Sequence, residues 1–187
     1  MYAIKWGALL LAIGLVFCAL SGCEDKGGPV ENITGSLASF TAQTLDGDTF
    51  TQEDILSKDV TVINFWGTFC SPCIAEMPAL AAYAKALPEN VQLITVCTDG
   101  AGDPAGAKEI LDKAGFAGVT LISGDGDIAS LVGAVEFLPT TVLVDSQGQV
   151  TGPLAHVDPA SLAEGYTKAV NEVLRAGGKD EIAVDVG

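Results

Sequence analysis

Residues 64–78 read NFWGTFCSPCIAEMP, and the placement of Cys70 and Cys73 within them decides how the rest of the chain is read. Just upstream, VTVINF at 60–65 is a short, β-branched, apolar run of the kind that suits a strand buried on both faces of a mainly parallel sheet. Downstream, Ile74, Met77, Leu80, Ala81, Ala84 and Leu87 recur at helical spacing, which predicts a helix over 72–87. Pro78 inside it removes a hydrogen bond and predicts a kink near Ile74–Met77. The two cysteines therefore stand where a strand gives way to a helix. A helix N-terminus presents unpaired N–H groups and the equivalent of about half a positive charge, so it favours an anion. A thiol placed there ionises below its usual pKa of about 8.5, and the thiolate is the nucleophile. Cys70 falls at the helix start and Cys73 one turn inside. The spacing exposes the first sulfur and keeps the second within reach of a mixed disulfide.

Outward from this junction, strands and helices alternate. FTAQTL and DTF around Asp46-Gly47 predict a hairpin, and VQLITVC at 91–97 predicts a second buried strand. Asp103-Pro104 is an N-cap followed by proline, opening a helix that runs to Lys113. TLISG, a helix over 127–133, TTVLVD, a turn at Ser146-Gln147-Gly148, a strand near 149–154 and a helix over 159–174 complete the series. The tail, 176–187, reads either as disordered or as an edge strand.

Of 187 residues, 49% are hydrophobic and 18% charged, which fits one globular domain with appended segments. Acidic residues number 24 against 9 basic, a formal charge of −15, the wrong sign for nucleic-acid binding. Residues 1–22 carry one lysine, an apolar run over 6–20 and small residues, the pattern of a secretory signal. A spanning helix needs about 20 apolar residues, so a transmembrane reading stays open if the run is extended to Cys23. Leu20-Ser21-Gly22-Cys23 resembles the lipobox of bacterial lipoproteins, in which the cysteine is acylated and becomes the first mature residue. Either reading places the domain outside the cytoplasm, tied to a membrane. The polar, glycine-bearing stretch 23–36 reads as a tether with a reach on the order of 20 Å. The domain itself is expected over 37–175. With Cys18 discarded and Cys23 lipidated, only Cys70, Cys73 and Cys97 remain, which is no disulfide framework. A mature chain of about 165 residues is long enough to be held by its core instead.

Cys-x-x-Cys also begins many zinc sites, but zinc needs two further ligands. His156 is the only histidine and Cys97 the only other mature thiol, and they form no second close pair. Cys97 ends a buried strand pattern and reads as an inert core thiol, and His156 as a loop residue.

Phe65-Trp66-Gly67-Thr68-Phe69-Cys70-Ser71-Pro72-Cys73 with Glu76-Met77-Pro78, and then Phe137-Leu138-Pro139-Thr140-Thr141 before VLVD, resemble the thioredoxin-like family over about residues 37–175. The likeness is to its membrane-anchored TlpA- and ResA-like branch of thiol-disulfide oxidoreductases, typified by proteins that reduce apocytochrome c. It implies an α/β thioredoxin-like fold, a central mixed sheet flanked by helices with an N-terminal β-hairpin. It implies catalytic roles for Cys70, Cys73, Glu76 and Pro139, supported by Trp66, Pro72, Leu138 and Thr140. Pro139 would be cis, facing the dithiol, with the backbone of Leu138 pairing with substrate. Glu76, on the helical side of Cys73, would tune the thiols and move protons, since a carboxylate in an apolar groove holds its proton more tightly. Thioredoxins proper carry a buried aspartate where this chain has Asn64, so a relay through that position is ruled out and Glu76 or Glu136 is left for the role. No cofactor or metal is implied. The implied partners are proteins with thiols or disulfides and a membrane electron donor, in the periplasmic side of a bacterial envelope. Reduction is the expected direction, with cytochrome c maturation the expected task, although one fold serves oxidation and isomerisation too. A thioredoxin-like peroxidase, a copper chaperone using Cys70, Cys73 and His156, and a binding module without turnover are the alternatives.

Overall fold

The structure, a computed structural model, describes residues 32–154 and 158–186. The signal and lipobox, including Cys23, and His156 lie outside the described residues. Eight described strands form one sheet in the order β1-β8-β7-β4-β5-β6-β2-β3. These are β1 Ile33–Ser36, β2 Thr41–Thr44, β3 Thr49–Thr51, β4 Val60–Trp66, β5 Val91–Cys97, β6 Thr120–Gly124, β7 Thr140–Asp145 and β8 Gln149–Gly152. Between them run α1 Gln52–Leu56, α2 Ser71–Ala86, α3 Pro104–Ala114 and α4 Asp127–Gly133, and a 3-10 turn at Pro159–Ser161 leads into α5 Leu162–Ala176.

Strand β4 is the axis. All seven of its residues are buried, and it pairs parallel with β5, from Val60↔Val91 to Trp66↔Cys97, and antiparallel with β7, from Val60↔Asp145 to Phe65↔Thr140. Its side chains alternate between two cores, as a pleated strand requires. Val60, Val62 and Trp66 pack with Met77, Leu80 and Tyr83 of α2, Leu111 of α3 and Val170 and Leu174 of α5. Ile63 and Phe65 pack on the other face with Ile55 of α1 and Ile128 and Leu131 of α4. This double burial explains why β4 reads as an unbroken apolar run.

Local signals hold where the chain must turn. Gly47 takes φ 92° in the β2–β3 hairpin, a conformation open to glycine at no steric cost. The Asp103 carboxylate accepts from the Gly106 N–H at 2.9 Å, capping α3 with Pro104 in its first turn. At Gly126, φ 64°, a Cβ would come within 2.4 Å of the Ser39 carbonyl, so a side chain there would push α4 off the sheet. Pro78 sits on the exposed side of α2, which runs unbroken from Ser71 to Ala86.

Two expectations need correction. The end of the expected tether is a strand: Ile33–Ser36 pairs antiparallel with β8, from Ile33↔Gly152 to Ser36↔Gln149, and Leu37 donates to the Gly148 carbonyl at 2.8 Å. Polar composition hid it, because an edge strand has one solvated face. The tail is neither loose nor a strand. The Asn171 side chain on α5 accepts from the Ile182 N–H at 2.8 Å and donates to the Ile182 carbonyl at 2.9 Å, and Ile182 and Val184 pack against the α5 side of the core.

An Asn171→Ala substitution removes both bonds and should cost about 1–2 kcal/mol. A lower urea midpoint and faster hydrogen exchange at Ile182 are the expected outcomes; an unchanged exchange rate there would show that the apolar contacts alone hold the tail.

Candidate functional site

Chain direction brings the site together. β4 and β5 are parallel, so both end on the same side of the sheet, and β7, antiparallel, begins there. Cys70 follows the end of β4, Asp99 follows the end of β5, and Pro139 precedes the start of β7.

Cys70 is the N-cap of α2, with extended backbone at φ −89°, ψ 95°, and the Cys73 N–H points at its sulfur, 3.3 Å away. Cys70 and Cys73 form a disulfide, with Cα atoms 5.3 Å apart. Cys70 is 7% exposed and Cys73 is wholly buried. An incoming nucleophile can therefore reach the first sulfur and not the second. When the bond opens, the helix terminus and the Cys73 N–H favour the Cys70 thiolate. Pro72 lies in the first turn, where its missing N–H loses no bond. Trp66 is fully buried in the same core cluster as both cysteines. Its indole Nε1 has no hydrogen-bond partner among the described residues.

Thr68, the middle of the three residues between Trp66 and Cys70, is held by Asp99. Its Oδ1 accepts from the Thr68 N–H at 2.9 Å and its Oδ2 from the Thr68 hydroxyl. The thiol of Cys97 also donates to Oδ1, at 3.3 Å. Burial works against the Asp99 charge, but these bonds outweigh it and hold the carboxyl below its ordinary range. Cys97 is affected in the opposite sense: burial, reinforced by the neighbouring Asp99 carboxylate, pushes its thiol up to about 12. Two thiols near the same end of the sheet thus differ in kind, one at a helix terminus and one buried against an anion.

Glu76 is 5% exposed. Its Oε1 accepts from the Asn64 Nδ2 at 3.0 Å, and the same amide nitrogen donates to the Thr141 hydroxyl at 3.0 Å. Thr141 in turn shares a 2.7 Å bond with the Tyr166 hydroxyl. Asn64 opposes Thr141 across the β4–β7 ladder, and the pleat turns it toward α2 and α5. Tyr166, packed edge-on against Tyr83 at 5.7 Å, has its phenol pushed up to about 12, mainly by burial. The Oδ1 of Asn64 is buried without a partner among the described residues.

The Leu138–Pro139 bond is cis, and the Thr140 hydroxyl donates to the Phe137 carbonyl at 2.6 Å, closing the turn into β7. Leu138 lines a cleft of about 640 Å³ with Phe69, Cys70, Pro72, Thr98 and Phe137, and Glu136 also borders it. Phe69 and Phe137 are 72% and 76% exposed. Cys70, Pro72 and Leu138 thus meet at the cleft, while Cys73, Glu76 and Trp66 lie buried behind it. The sequence reading missed Asp99 and Tyr166, and quoted Thr68, Phe69, Phe137 and Thr141 only as parts of motifs. A signal for Asp99 was present: VTVINFW and VQLITVC, as parallel neighbours, must deliver their C-terminal loops to one end of the sheet. Among the described residues no group of three or more His, Cys, Asp or Glu side chains could hold a metal ion.

A ResA thiol-disulfide oxidoreductase of Bacillus anthracis is 29% identical over 133 residues, covering 71% of this chain and 75% of its own. One from Bacillus cereus is 27% identical over 163 residues, covering 87% and 91%. Among solved structures, a secreted Mycobacterium tuberculosis disulfide oxidoreductase homologous to Escherichia coli DsbE superposes with TM-score 0.55 at 27% identity, over 68% of this chain and 94% of its own. A thioredoxin family thiol:disulfide interchange protein of Chlorobium tepidum superposes with TM-score 0.60 at 19% identity, over 74% and 97%. The fold is thioredoxin-like. The AhpC/TSA family model matches residues 33–152, and the chain belongs to that family.

The site's geometry sets two expected outcomes. Asp99→Ala should slow exchange with a small disulfide by about tenfold, by freeing the approach to Cys70, while Asp99→Asn retains an acceptor for the Thr68 N–H and most of the rate. Equal rates in all three proteins would remove Asp99 from the account. The raised Cys97 value also has a sign: the folded chain keeps a proton that the unfolded chain releases near pH 9. Stability is therefore full below pH 9 and falls by up to about 1.4 kcal/mol per unit as pH rises toward 12. Denaturant midpoints at pH 8, 9 and 10 should show this decline, and Cys97→Ala should flatten it.

Proposed function

We propose that this member of the AhpC/TSA family is a thiol-disulfide oxidoreductase that exchanges its Cys70–Cys73 disulfide with protein thiols. The observation that carries the reading is the asymmetry of the pair, with Cys70 reachable at a helix N-terminus and Cys73 sealed behind it. The relatives named as thiol-disulfide oxidoreductases support it. In the reducing direction the Cys70 thiolate attacks a client disulfide, joins one client sulfur and releases the other as thiolate. Cys73 loses its proton and attacks the Cys70 sulfur, so the client's second sulfur also leaves as thiolate, both take protons from solvent, and the protein is left oxidised. Glu76 receives the Cys73 proton: it lies one turn along α2 on the same side, and Asn64 fixes its carboxylate without titrating itself. Phe137 and Leu138 form the wall against which the client segment lies, with the cis Pro139 following them and Thr140 holding the turn in shape.

The finer reading places the protein outside the cytoplasm as a lipoprotein. Residues 1–22 are a signal, Cys23 carries the lipid, and the domain begins at the β1 strand. Its support is the lipobox-like LSGC and the secreted M. tuberculosis protein. A reductant there needs a membrane protein that passes electrons outward, and cytochrome c maturation is the task suggested by the branch that the motifs resemble. The peroxidase alternative lacks support: among the described residues bordering the cleft there is no arginine or lysine to activate a peroxide-attacking thiolate.

A Cys70→Ser, Cys73→Ser double variant should lose exchange activity, and Cys73→Ser alone should accumulate a mixed disulfide with its client, seen by mass spectrometry. Retained activity in the double variant would sink the assignment. The reduction potential of the couple decides direction: near about −270 mV it serves as an electron donor, whereas near about −120 mV it is an oxidant and the cytochrome task falls.

A further inference from the structure

The charges on the described residues are sorted by the direction of the strands. Lys58 stands just before β4 and donates to the Glu89 carbonyl at 2.8 Å, and Lys179 pairs with Asp59 at 2.9 Å, both at the end of the sheet away from the disulfide. Lys85, Lys113 and Arg175 lie in the last turns of α2, α3 and α5. Lys108 and Lys168 are mid-helix. That far end also carries acids, such as Asp59 and Glu89, and is mixed in sign. The disulfide end is not. The described loops and helix starts that surround it hold Asp99, Asp103, Asp125, Asp127 and Glu136 and not one Lys or Arg.

This single-signed field surrounds an apolar cleft. Phe69 and Phe137, both largely exposed, line it with Leu138, Val132 and Val135, Glu136 borders it, and Cys70 opens into it. Two large aromatic rings left exposed beside a reactive sulfur are an unsatisfied apolar surface continuous with the site of chemistry. Just beyond the cleft-lining Thr98, the bonds from Thr68 hold the Asp99 carboxyl below its ordinary range. An acidic client segment would be repelled from this end, and a basic one drawn to it and oriented.

We infer that the cleft selects a cationic protein segment, one with lysine or arginine flanking its cysteine and a large apolar residue beside it to lie between Phe69 and Phe137. The inference rests on the oxidoreductase reading and adds the class of client. A pole of one sign steers such a segment on approach, and the two rings hold it once Cys70 has been reached. The other end of the molecule, mixed in sign, offers no competing attraction.

The test uses the full-length chain, reduced, in a non-ionic detergent. Two peptides of one sequence each carry a cysteine disulfide-bonded to 2-mercaptoethanol and differ only in having two lysines or two glutamates beside it. Protein dithiol and peptide disulfide become protein disulfide, peptide thiol and free 2-mercaptoethanol, so two electrons and two protons are transferred and accounted for. The lysine peptide should show a kcat/KM about tenfold above the glutamate peptide at low salt, with the gap closing to about twofold at high salt. Glu136→Lys should narrow the low-salt gap. Bis(2-hydroxyethyl) disulfide, which is uncharged, separates the failures. If it is reduced but the two peptides react equally, or the gap ignores salt, the inference is overturned and the oxidoreductase reading stands; if it is not reduced either, both fall.

Discussion

A strand with both faces covered has to surrender its chain to solvent somewhere, and the way β4 does so organises this protein. Seven consecutive buried residues leave no room for a reactive group within the strand. Chemistry is possible only at its end, where Gly67 to Phe69 carry the backbone from the core to the start of α2. The ladder to β5 then places Thr98 and Asp99 beside that exit, and the ladder to β7 places Leu138 and Pro139 there. The cleft is thus a product of strand polarity. No long-range coincidence is needed to gather residues from 69, 98 and 138.

That logic also marks how far the sequence could be read. The β4, α2, β5, α3, β6 and α4 segments were legible because their patterns are strong: β-branched runs for strands, an Asp-Pro start for α3, apolar positions at helical spacing for α2. The dithiol was legible because its two residues carry chemistry that a core does not need. Ile33–Ser36 was not, since an edge strand with a solvated face looks like polar linker until its partner is known. The tail was not, because a coil held by an asparagine, an ion pair and two apolar side chains has no period to detect. Asp99 and Tyr166 act through partners 31 and 25 residues distant, and single-residue chemistry says nothing of such pairs until the topology is drawn.

The two thiol environments illustrate how little separates function from inertness. Trp66 and Cys97 are directly opposed in the β4–β5 ladder, and Cys70 is only four residues beyond Trp66. Cys70 has a helix terminus under it and open space in front. Cys97 has neither, and faces a carboxylate that already serves another purpose. The same Asp99 that steadies the approach to one sulfur suppresses the ionisation of the other, so a single side chain sharpens the contrast between them.

Asn64 gives both hydrogens of one amide group to acceptors on different elements, Glu76 of α2 and Thr141 of β7, and leaves its own oxygen without a donor among the described residues. In evolutionary terms these three positions form a locked set. An aspartate at 64 would set two carboxylates against each other and take away the donor that Thr141 now accepts from; a loss of Glu76 would leave a buried N–H with nothing to meet it. Drift at any one of the three is therefore closed off unless another changes with it, and lineages that depart from this trio should do so through paired replacements, inherited together.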